Sequence, residues 1–165
     1  MLVAGTAAPA APKPPTEACT LLPVAQVGKA FGTPFHVTTR NGEIAPLGRN
    51  TAPGSQCSYT SKKRLPGFRE PGGNLGIWYV VYVESSTAVA RNVFTSWRSF
   101  IDRTTGRTTT VAGIGDAAFR DPNYVLHVRT GKAHFDMGFN PGGYKPPNDQ
   151  QERQRDLAQW VVRHL

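Results

Sequence analysis

A chain of 165 residues, 39% of them hydrophobic, has the length of one domain and enough apolar side chains for a sizeable core, so it needs no cross-links merely to fold. Its 19 Lys and Arg against 11 Asp and Glu leave a formal net charge of +8, a surface that attracts polyanions or an anionic membrane face. No run of about 18 apolar residues occurs, which excludes a spanning helix within this sequence. No basic helix, zinc-finger, RRM or KH signature accompanies the charge, so nucleic acid is not an expected partner.

Residues 1–15 are too rich in Ala and Pro to pack, and they read as a disordered or extended leader or tether ahead of a single α+β domain over residues 16–165. Val3-Ala4-Gly5 matches the last residues before a lipoprotein cysteine, with Thr6 in the cysteine's place. That reading makes the chain a processed export precursor; an ordinary Ala/Pro linker is the alternative. Cys19 and Cys57 are the only thiols, and neither has the neighbours of a metal site or a nucleophile. A structural disulfide is the simplest reading and implies an oxidising compartment; two separate buried thiols are the alternative.

The first helix is predicted from Pro23 to Gly32, with Val24, Val27 and Phe31 on one face. A strand follows over residues 35–39, then a loop over 41–54 rich in Gly, Pro and Asn, then extended structure over 56–61. A second loop carries the basic tract Lys62-Lys63-Arg64 and runs through Arg69 to Gly73. The strongest strand signal lies at residues 75–84, dense in Val, Tyr, Trp and Ile. A longer helix, capped near Ser86 or Thr87, places Val89, Val93, Phe94, Trp97, Phe100 and Ile101 at helical spacing.

Residues 108–111 read as a strand and residues 113–119 as a glycine turn. Residues 124–129 and 133–139 form a hairpin about Thr130-Gly131. Asp149, with Glu152 three residues on, is the expected cap of a terminal helix whose buried stripe is Leu157, Trp160, Val161 and Leu165. The fold class is therefore α+β: two α-β-β-β-like passes plus a C-terminal helix, six strands in an antiparallel sheet with three helices packed on one face. The two passes share an order of elements without aligning residue by residue.

Three motifs, Cys19 before Leu21-Leu22 and a short helix ending at Gly32, Cys57-Ser58-Tyr59, and Gly113-Ile114-Gly115-Asp116-Ala117-Ala118, together resemble small exported proteins and lipoproteins of unknown function common in actinobacteria. The resemblance covers roughly residues 17–140 and departs at Leu22, where members place Ser or Thr before the helix proline. It implies export, a Cys19–Cys57 bridge and no known catalysis.

The glycine motif also matches a dinucleotide fingerprint, but that signature requires a helix next, and Phe119-Arg120-Asp121-Pro122 follows instead. A tight turn beside the core is the better reading. In the hairpin, Val128 is expected opposite Ala133, His127 opposite His134 and Leu126 opposite Phe135. Leu126, Val128, Phe135 and Met137 then share the core face, while His127, Arg129, His134 and Asp136 share the other. Two imidazoles and a carboxylate there offer a metal site or proton relay, against the plainer reading of a solvated polar face. Trp78 and Tyr82 share one face of the strongest strand. They are either packed in the core or, on an open sheet face with His127 and Arg129, an aromatic and basic platform. Trp97 and Trp160 belong to the core.

No Gly-x-Ser-x-Gly elbow, His-Glu-x-x-His or Cys–His pairing occurs, so an enzyme is not expected and no cofactor is called for. The sequence reads as a non-catalytic, monomeric binding protein, exported to the periplasm or cell surface and tethered there by its leader or a lipid. Its expected partner is an envelope or secreted protein or an anionic envelope component, met through the sheet face or the loop at Lys62, Lys63 and Arg64. The alternative is a small-molecule or metal binder using Trp78, Tyr82, His127 and His134.

Overall fold

The computed structural model describes residues 17–44, 54–65, 73–140 and 145–165, and only the backbone of 39–44. The expected leader over residues 1–15 lies outside them, as do most of the loops expected at 41–54 and 62–73. Two helices open the described chain, α1 (Ala18–Leu21) and α2 (Val24–Phe31). Pro23 separates them: it pushes Leu22 out of the helical region (φ −123, ψ 86) and itself sits in extended backbone as the cap of α2, one residue earlier than its expected role as first helical residue. Gly32 ends α2 in the left-handed conformation (φ 64), as its position predicts.

Strands β1 (Phe35–Ile44), β2 (Gly54–Ser61) and β3 (Gly76–Val83) form an antiparallel meander, so β1 runs five residues beyond its expected end. Helix α3 (Thr87–Thr104) follows, with Ser86 Oγ accepting a hydrogen bond from the Val89 N–H. Then come β4 (Thr109–Thr110), β5 (Ala117–Arg120), β6 (Leu126–Thr130), β7 (Ala133–Asn140) and α4 (Asn148–His164). The sheet has seven strands in the order β1-β2-β3-β7-β6-β5-β4, every pair antiparallel. The seventh strand is β5, which takes up the end of the segment read as a glycine turn. The α+β class, the antiparallel sheet and the terminal helix are as expected.

The placement of the helices is not. Cys57, Tyr59, Ile77, Tyr79, Val81, Val128, Phe135 and Met137 line one sheet face, where they meet Leu21, Leu22, Val27 and Phe31 from the first two helices and Leu157, Ala158 and Val161 from α4. Phe119 points the other way and packs on Phe94 and Ile101 of α3. The sheet is therefore covered from both sides, because its second face carries Phe119, Val80 and Tyr82, all buried. Since β3 and β7 are antiparallel neighbours, a two-fold axis relating the two passes would stand perpendicular to the sheet and keep their helices on one side. With α2 and α3 on opposite sides, the passes share an order of elements and no symmetry.

Polar contacts fix α4 to the sheet. Gln154, 1% exposed, donates from Nε2 to Met137 O (2.8 Å) and accepts from Arg120 Nη2 (3.1 Å). Arg153 Nη1 donates to Ala30 O at the C-terminal end of α2 (2.7 Å). The helix begins one residue before the expected cap: Pro147 takes that position, and Asp149 instead lies in the first turn, 3.6 Å from Arg153. Leu165 and Phe100 are exposed, and Trp97 and Trp160 are half-buried at the core's edge. No described helix is long and apolar enough to cross a membrane.

Candidate functional site

The hairpin β6–β7 turns at Gly131-Lys132, so Thr130 faces Ala133, Arg129 faces His134, Val128 faces Phe135 and His127 faces Asp136. Each pair is offset by two residues from the expected register. Side chains alternate with period two, so a two-residue offset keeps every side chain on its predicted face while changing its partner. Asp116 sets this turn: its Oδ2 accepts from the Gly131 N–H (2.9 Å) and from Arg129 Nη1 (3.0 Å), and its own N–H donates to Arg129 O (2.8 Å). Gly115 has φ 54, and a Cβ there would sit 2.5 Å from Arg129 O, so only glycine fits this approach. The glycine motif is thus the brace of the hairpin, and β5 follows it directly.

His127 lies under α3, 4% exposed, stacked on Phe119 with ring centroids 4.5 Å apart. Its Nδ1 is 2.6 Å from Asp136 Oδ1, and its Nε2 is 3.6 Å from Asp121 Oδ2, an ion-pair distance. Burial pulls the imidazole's pKa down, but the carboxylates of Asp136 and Asp121 outweigh it and raise the value to about 9. Asp121 is held in place by its own turn, Oδ1 accepting from the N–H groups of Asn123 and Val125 (2.9 and 2.8 Å), with Tyr124 at φ 63. His134 takes a different carboxylate: its Nε2 is 3.1 Å from Oε1 of the buried Glu84, and its ring stacks on Tyr82 at 4.9 Å.

The expected polar face is therefore a buried ionic layer between sheet and helix, with His127, Arg129 and His134 all under 8% exposed. The two imidazoles are divided between separate acids. Among the described residues, no group of three or more His, Cys, Asp or Glu side chains is arranged to hold a metal ion. Asp121 and Glu84 were missed as partners; the Asp121-Pro122-Asn123 turn signal was the available clue to the first.

Tyr82 and Trp78 share a face of β3, as predicted, but not a surface. Tyr82 is 2% exposed, its ring occupying the space above Gly54, where a Cβ would lie 2.5 Å away. Trp78 is half-buried and lies across Gly138, where a Cβ would be 2.4 Å from the indole. Arg129 and His127 do not join it at an open face.

The basic tract, by contrast, is exposed at Lys62, Lys63 and Arg64 and makes no ion pair among the described residues. Its backbone is pinned. The Lys62 N–H donates to Pro34 O (2.8 Å), while Ser61 Oγ donates to Lys63 O (2.9 Å) and accepts from the Leu75 N–H (2.9 Å). Pro34 in turn forms one lip of a shallow groove of about 420 Å³ along α2, lined also by Val24, Ala25, Gly28, Gly32, Thr33 and Phe35.

Cys19 and Cys57 are bonded, with Cα atoms 5.1 Å apart, tying α1 to β2. The Ala18 N–H to Ser55 Oγ bond (2.9 Å) and the Tyr59 hydroxyl, which donates to Leu22 O, seal the same junction. Burial pushes the Tyr59 and Tyr79 phenols well above their ordinary range, so both stay neutral. Compared with models of protein families, with curated proteins and with solved structures, the chain matches none.

Proposed function

We propose that this chain is a non-catalytic, exported binding module that engages an anionic component of the cell envelope, or an envelope protein presenting such a surface, through Lys62, Lys63 and Arg64. The observation that carries the reading is the tract itself: three adjacent exposed cations on a hydrogen-bonded backbone, in a chain of net charge +8. A held backbone lowers the ordering cost of binding, and adjacent like charges attract a polyanion more than a single one. The groups suited to acid–base chemistry, His127 and His134, are instead buried and engaged by Asp136 and Glu84. The Cys19–Cys57 bridge is compatible with an oxidising, extracellular location, and the resemblance to exported actinobacterial proteins supports the same placement.

Titration with soluble inorganic polyphosphate tests the reading. Binding should weaken steeply with added salt and be lost in K62E/K63E/R64E; affinity indifferent to both changes would refute it. One observation favours a second reading, in which half-buried Trp78, flat across Gly138, stacks on a small ligand. That ligand would be lost on Trp78→Ala and retained by the charge-reversal variant.

A further inference from the structure

The anionic surface can be specified further by what lies beside the cations. Lys62 is bonded through its N–H to Pro34, and Pro34 forms the lip of the groove along α2. The groove's other walls include Val24, half-buried, and Ala25, exposed, while Thr33, the one lining residue with a polar side chain, is buried, so the strip that faces outward at Ala25 and Pro34 is apolar. Lys29, also exposed, follows on the next turn of the same helix. A soluble polyanion would neutralise the cations and leave this apolar strip in water. A bilayer surface satisfies both at once, because its phosphates meet the ammonium and guanidinium groups while the headgroup–acyl boundary receives the apolar strip, and lysine stems reach between the two.

We infer that the tract and the α2 groove together seat the protein on an anionic phospholipid surface, with Lys62, Lys63, Arg64 and Lys29 on phosphates and Ala25 and Pro34 at the acyl boundary. This rests on the reading of the basic tract above. It is attachment to the surface, without a spanning segment. Each cation at such a surface is worth about a fivefold gain in partitioning, so the three adjacent ones together contribute about a hundredfold at low salt.

The test is cosedimentation of the full chain with vesicles of phosphatidylcholine containing phosphatidylglycerol, with phosphatidylcholine vesicles alone and soluble inorganic polyphosphate as separate arms. The protein should sediment with the anionic vesicles only. K62Q/K63Q/R64Q should lose about a hundredfold. Ala25→Leu, an exposed helical position that tolerates leucine, should tighten vesicle binding by about tenfold through its added apolar carbons while leaving polyphosphate binding unchanged. Polyphosphate binding that requires the three cations, without vesicle binding, overturns the lipid surface and leaves the proposed function standing. Binding to neither overturns both. Vesicle binding indifferent to Ala25→Leu overturns the seating of the groove.

Discussion

Raising the pH through about 9 should undermine the packing of α3 on the sheet, and one side chain carries the effect. His127 is 4% exposed, and its imidazole is raised from its ordinary 6.5 to about 9 because Asp136, at 2.6 Å, and Asp121, at 3.6 Å, outweigh the cost of burying the charge. Between those two values the folded protein holds a proton that the unfolded chain has released, so stability falls as pH rises. The contribution is fully present below 6.5 and gone above about 9. At about 1.4 kcal/mol per pH unit, the loss across the window is about 3 kcal/mol, a large share of a small domain's stability. Urea unfolding followed by circular dichroism at a series of pH values measures it directly, and the His127 ring resonances give the site-specific titration. Asp136→Asn removes the nearer carboxylate and should shrink the pH-dependent loss. A wild-type stability that stays level across this window, or a His127 ring that titrates at its ordinary value, would refute the reasoning.

Breaking the disulfide, by reduction or in the double variant C19A/C57A, should lower the urea-unfolding free energy by about 4 kcal/mol on the chain-entropy model for a sequence separation of 38 residues; an unchanged midpoint on reduction would contradict that. Gly115→Ala should cost about 1–3 kcal/mol, because the new methyl meets Arg129 O at 2.5 Å in a backbone with φ 54. Weakened amide protection at Gly131, whose N–H Asp116 accepts, would locate that damage in the hairpin turn. Gly138→Ala should displace the Trp78 indole and shift its fluorescence, whereas an unaltered emission spectrum would mean the ring does not lie where Gly138 leaves room for it.

Much of the architecture was legible because the signals were local. Gly32 ends α2 in the left-handed conformation, which glycine adopts without the penalty other residues meet, Ser86 caps α3, and the Val-Tyr-Trp-Ile run is a central strand. The two faces of the β6–β7 hairpin were legible for the same reason, and the register was not: alternation survives a two-residue offset, and the hydrogen bond that fixes the offset comes from Asp116, fifteen residues away from Gly131. The side on which α3 packs was hidden because Trp78, Val80 and Tyr82 give β3 a second apolar face, and nothing local says which helix will cover it. The ionic layer was hidden in a different way. His127 and His134 were visible as a pair, but each is answered by a carboxylate outside the hairpin or across it, Asp121 from a turn and Glu84 from the end of β3, so the pairing exists only once the sheet is assembled. The exposed tract at Lys62, Lys63 and Arg64 was legible from charge alone; its pinned backbone and the groove beside it were not.

The account turns on whether that tract, rather than net charge, makes the protein a binder of anionic surfaces. Elution from an immobilised polyanion in a salt gradient decides this when wild type is compared with K62E/K63E/R64E and with R91E/R107E/K132E, which reverses three other exposed cations and so carries the same net charge. The account predicts that only the first variant elutes early, with the second close to wild type. Equal early elution of both variants would contradict it, reducing the interaction to the attraction of a basic protein for any polyanion.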